Sequence, residues 1–88
     1  MDQQIVIVND GQQSWGVDAS KLLSALHALG WTRDGDLWIE GSEDSYMALC
    51  SVLDPAPGYE PENVSDDWHD LPEFAYLPAR GGWSRWAE

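Results

Sequence analysis

Between Arg33 and Arg80 the chain holds no lysine and no arginine. Within that interval stand Asp34, Asp36, Glu40, Glu43, Asp44, Asp54, Glu60, Glu62, Asp66, Asp67, Asp70 and Glu73. A stretch of this kind cannot neutralise itself, and like charges on a small body oppose compaction. Any fold it joins must keep those carboxylates at the surface and draw its core from other residues. The six Trp are the obvious source, because a buried aromatic side chain removes roughly 150–250 Å² from water. With 88 residues, one domain around one compact core is expected over residues 1–88.

The formal charge is −12 and the pI is near 4.1. Such a chain repels phosphate backbones and anionic membrane surfaces, so direct nucleic-acid and membrane binding are not expected. A basic protein partner is favoured. No apolar run approaches the ~18 residues of a membrane span, and Met1-Asp2-Gln3-Gln4 lacks a basic leader. A cytoplasmic protein, monomeric or homodimeric, is the expectation. The single Cys50 permits no internal disulfide and falls in a helical pattern, which predicts a buried thiol.

Residues 4–8 are β-branched and read as a strand. Its four consecutive apolar residues imply that both faces are covered. Asn9-Asp10-Gly11 predicts a turn, and residues 12–17 a returning strand. Asp18 is a helix cap. Leu22, Leu23, Leu26 and Leu29 then form one apolar stripe on a helix over residues 19–29 that Gly30 ends. His27 is expected to be a partly exposed helix residue. Residues 31–33 and 36–39 read as a second hairpin about Asp34-Gly35. Ser42 caps a second helix over residues 43–53, with Glu43 and Asp44 in its first turn. The order is ββαββα, and the two halves look alike. The predicted class is α+β: an antiparallel sheet with two helices on one face.

Residues 1–53 make this body. Residues 54–73 form an acidic, Pro-rich loop with a short capped helical turn near residues 65–71. A loop of this length is functional or mobile as a rule. Residues 74–88 complete the chain. A fifth strand near residues 73–77 is expected at a sheet edge, since Pro72 and Pro78 flank it. Gly81-Gly82 reads as a turn. Trp83 and Trp86 either dock on the body or form an aromatic patch.

Catalytic chemistry finds little purchase. There is no nucleophile elbow and no Gly-rich phosphate loop, and so short a chain leaves little room for a deep cleft. Asp66, Asp67, His69 and Asp70 have a metal-like composition but lack the glycine and spacing of a calcium loop. Zinc would require a second His or Cys nearby. A non-enzyme without metal or other cofactor is expected.

Carboxylates four apart on a helix, or two apart on a strand, lie about 6 Å apart or slightly more. Asp34 with Asp36, Glu40 with Asp44, and Asp66 with Asp70 would form such rows and imitate nucleic-acid phosphates. Glu43, Glu60 and Glu62 would extend them, and Tyr59, Trp68 and Trp86 would act as aromatic anchors. The partner would be a basic protein, such as a nucleic-acid-binding complex or nuclease. In size and composition the chain is similar to the small acidic phage proteins that block host defence nucleases, anti-CRISPR proteins among them. The likeness implies an inhibitor of that kind, carries no motif and assigns no residue a role. The alternative is an immunity-type or regulatory module that recognises its partner through a Trp-rich C-terminal surface.

Overall fold

Strand β1 (Ile5–Asn9) alternates between two covered faces. Val6 and Val8 enter one buried cluster, and Ile5 and Ile7 enter another. That is why four consecutive β-branched residues are tolerated here. The computed structural model of the protein describes residues 4–41 and 45–86, without the side chains of Ser45 and Tyr46. β1 pairs antiparallel with β2 (Ser14–Asp18). The Asp10 carboxylate closes the intervening turn by accepting the Gln12 and Gln13 amides, each at 2.8 Å. A short acidic side chain that takes over backbone donors in this way is the usual turn device.

The Asp18 carboxylate accepts the Ser20 amide at 2.9 Å and caps helix α1 (Ala19–Ala28). Leu22 and Leu26 point into the core, and His27 is exposed, with its ring in a T-shaped contact with Trp38. Strands β3 (Thr32–Asp34) and β4 (Leu37–Ile39) form the second hairpin. Helix α2 (Ser45–Val52) follows and buries Leu49. Its expected cap Ser42 and the acids Glu43 and Asp44 lie outside the described residues. Cys50 is half-buried rather than fully buried, and as the single cysteine it forms no internal disulfide.

The antiparallel sheet expected from the two hairpins is corrected. The chain continues beyond ββαββα into β5 (Glu73–Leu77) and β6 (Gly82–Ser84). The sheet has six strands in the order β2-β1-β5-β6-β4-β3. It is mixed, because β5 runs parallel to β1 while every other pairing is antiparallel. The two hairpins do not pair with each other, and the last two strands join them.

β5 is therefore central and not at an edge. The prolines bracket it without interrupting it: the carbonyl of Pro72 accepts the Ile7 amide at 2.8 Å, and Pro78 opens the 3₁₀ turn Pro78–Arg80 after the strand. A proline harms a ladder only where its missing N–H is needed. Gly81 makes the following turn alone, in the left-handed region at φ 69°, and Gly82 already belongs to β6.

Both helices pack on one face of the sheet, as expected. Leu22, Leu26, Leu49 and Leu53 join Val6, Val8, Trp15, Val17 and an aromatic group in a single cluster. In that group Phe74 stacks on Trp83 with centroids 5.0 Å apart, and Trp31 lies 5.9 Å from Trp83. Trp86 stacks on Trp38 and meets Phe74 edge-on. The Trp83 indole N–H donates to the Glu40 carboxylate at 3.1 Å. Those of Trp31 and Trp38 are buried without an acceptor among the described residues, at roughly 1–3 kcal/mol each. The burial of these rings outweighs that cost. Among the described residues no helix is long and apolar enough to cross a membrane.

Candidate functional site

At β1 and β2 the second face of the sheet is covered by the chain between α2 and β5. Residues 54–72 run across it as a strap. Ala56 packs with Ile5 and Ile7, and Tyr59, Trp68 and Leu71 pack against them. The strap is fastened to the free edge of β2. Ala56 N–H donates to the Gly16 carbonyl, and Gly16 N–H donates to the Tyr59 carbonyl, both at 2.8 Å. A turn joins the two contacts, with Pro57 and Gly58 at its middle positions and Gly58 at φ 87°. This is the geometry that a Pro-Gly pair favours.

Two 3₁₀ turns, Pro61–Asn63 and Asp66–Asp70, shape the rest of the strap. The Ser65 hydroxyl caps the second by accepting the Asp67 amide. In a 3₁₀ helix, residues three apart eclipse and those four apart do not. Asp67 and Asp70 thus share one side of the turn, about 6 Å apart along its axis. Asp66 faces elsewhere. The expected row of Asp66 and Asp70 is replaced by Asp67 and Asp70, since the earlier spacing assumed an α-helix.

The strap carries Asp54, Glu60, Glu62, Asp66, Asp67 and Asp70, with Glu73 directly after it, and no lysine or arginine. All are exposed except Glu60, which is half-buried. Among the described residues none of them forms an ion pair. Glu60 accepts the Asn63 side-chain amide at 2.7 Å. Its own backbone amide, and then the Asn63 side-chain amide, hold its carboxyl below the usual range. On the opposite face, residues 19–33 and 45–53 contain no acid and carry Lys21 and Arg33.

The other expected site residues divide into three groups. Asp34, Asp36 and Glu40 lie around β3 and β4, at the end of the sheet remote from the strap. Asp34 ends β3 and Asp36 sits in the turn, so they form no strand row. Arg80 clasps Asp36 with two bonds of 3.0 Å. That hydrogen bonding, ahead of Asp36's own backbone amide and the guanidinium charge, holds the Asp36 carboxyl low. Glu40 is half-buried beneath Trp83. Glu43 and Asp44 fall outside the described residues, so the expected row of Glu40 and Asp44 does too.

The aromatic anchors separate as well. Trp86 is only 3% exposed and Trp83 only 2%. Neither can meet a partner, and Trp86 is corrected from anchor to core. A Trp-rich C-terminal surface is absent among the described residues for the same reason. Tyr59 and Trp68 are half-buried, with ring centroids 5.8 Å apart where the strap meets the sheet. They line an open cavity of about 410 Å³ together with Gly58, Asn63, Ser65, Asp67 and Leu71. Of the six indoles only that of Trp68 is incompletely buried.

Sequence reasoning missed Asn63, Ser65 and the fastening role of Gly16. The last had a signal, because a glycine inside a strand often marks the close approach of another backbone. Among the described residues no group of three or more His, Cys, Asp or Glu is placed to hold a metal ion. The chain matches no protein-family model, no curated protein and no solved structure.

Proposed function

We propose that the protein is a non-enzymatic acidic binding protein that occupies a cationic, nucleic-acid-binding surface of a partner protein, as a nucleic-acid mimic does. One observation carries this reading. The strap offers a set of exposed carboxylates on a packed support, and helices α1 and α2 opposite carry no acid within residues 19–28 and 45–52. A preordered anionic face meets lysines and arginines spaced for phosphates without first having to order itself. Long-range attraction speeds the encounter and makes it sensitive to salt. The half-buried Tyr59 and Trp68 add the apolar contact that charge alone lacks. An inhibitor of a nuclease or other nucleic-acid-handling complex, of the phage anti-defence or anti-CRISPR type, is the form of this activity that the charge favours.

Immobilised protein, incubated with extract from a candidate host cell, tests the reading. It is expected to retain nucleic-acid-binding proteins at low salt. Added duplex DNA or structured RNA should release them, and so should high salt. Retention indifferent to both salt and nucleic acid would overturn the proposal.

A further inference from the structure

We infer that Trp68 and Tyr59 seat one arginine side chain of the partner, with the Asp67 carboxylate receiving its guanidinium. This rests on the acidic-face reading above and names the group that face takes. The two rings are 5.8 Å apart and tilted by 33°. A third planar group between them would need about 7 Å, two contact distances. The seat is therefore the cavity of about 410 Å³ that both rings border, within the ~300–1,000 Å³ range of small-ligand sites.

The polar groups around that cavity accept. The Asp67 carboxylate has no donor to offer when ionised. Asn63 spends an amide hydrogen on Glu60, at 2.7 Å, so its carbonyl oxygen is turned away from that bond and left to accept. Ser65 contributes a hydroxyl. No lysine or arginine lines the cavity. Acceptors beside aromatic faces call for a cation with several donors. A guanidinium fits better than an ammonium, because it is planar, stacks on indole, sheds water more easily and carries its N–H groups in a fixed fork. The same pairing already occurs inside the chain, where the Arg33 guanidinium lies 5.3 Å over the Trp38 ring. The seat is also held in place from below, since Tyr59 rests on Gly16 and Trp68 on the Ile5 and Ile7 cluster.

Capped hexa-arginine and hexa-lysine, equal in charge, discriminate when titrated into the ¹⁵N-labelled full chain at low salt. The Trp68 indole N–H signal is identified from a Trp68→Phe variant. Hexa-arginine is expected to bind about three- to five-fold tighter than hexa-lysine and to shift that signal. Trp68→Phe should narrow the preference, and Asp67→Asn should weaken hexa-arginine binding. A cooperative melt confirms that each variant is folded. Equal affinities with an unmoved Trp68 signal would overturn the arginine seat and leave the acidic-face reading standing. An arginine preference unchanged in Trp68→Phe would also overturn it. Failure of both peptides to bind would overturn the two readings together.

Discussion

Gly16 and Tyr59 are bound twice over. The Gly16 amide donates to the Tyr59 carbonyl at 2.8 Å, and the Tyr59 side chain fills the space a Gly16 side chain would need. A Cβ built on Gly16 would stand 2.6 Å from the Tyr59 Cβ and 2.8 Å from its ring. One strand residue thus anchors the strap by its backbone and admits the ring by its lack of a side chain. With the Ala56 bond and the packing on Ile5 and Ile7, this contact fixes the position of the strap.

Gly16→Ala should loosen the strap. The added methyl meets the root of the Tyr59 side chain and not its flexible end, so the strap must shift as a whole. Overpacking of this kind costs about 1–3 kcal/mol. Urea denaturation should show the loss, and limited proteolysis should cut faster within residues 54–72. An unchanged urea midpoint would show that the strap is not fastened here.

Trp86→Ala should cost about 3–5 kcal/mol, as expected for truncating a buried Trp. That is a large share of the ~5–15 kcal/mol that holds a small domain together. Removing residues 82–88 should abolish cooperative unfolding altogether, because β6 joins β4 to β5. A truncated chain that still melts cooperatively would return these tryptophans to the surface.

Arg80→Ala should raise the titration midpoint of Asp36, followed by carboxyl NMR, back toward its ordinary value of 3.8. Asp36 and Glu60 both have lowered carboxyls in the folded state. Their contribution to stability is therefore complete above the ordinary carboxylate range. It is lost as pH falls through their lowered folded values. An Asp36 midpoint that ignores the Arg80 substitution would mean the clasp does not persist in solution.

Salt should act in opposite directions on folding and on binding. Screening relieves the self-repulsion of a −12 chain, so the melting temperature should rise on going from low to physiological salt. Affinity for a basic partner should fall over the same range. Reversing Asp66, Asp67 and Asp70 to Lys should weaken binding by about ten-fold or more with the fold retained. Equal binding by that variant would move the contact away from the strap.

The legible parts of the fold were those in which chemistry and geometry lie close together in the chain. Asp10 and Asp18 bond to amides two or three residues away, so the first turn and the cap of α1 could be read directly. The apolar run of Ile5 to Val8 announced a strand covered on both faces, and it is. The acids of residues 54–73 could be read as surface, but the row of Asp66 and Asp70 could not. Its geometry depends on whether the turn is α or 3₁₀, and residue types alone do not distinguish them. Trp68 and Trp86 looked equivalent as anchors. One rests half-covered on Ile5 and Ile7, and the other is enclosed by Trp38 and Phe74.

The residues alone determined two hairpins, two helices and an acidity that no nearby cation could cancel, because these follow from neighbours in the chain. Tertiary structure decided that β5 enters the middle of the sheet parallel to β1, that the C-terminal indoles are core, and that the acidic segment is a strap. The backbone edges that pair strands are chemically alike whatever their side chains. Which edge meets which, and so which ring faces water, is settled only when segments distant in sequence compete for the same apolar surface.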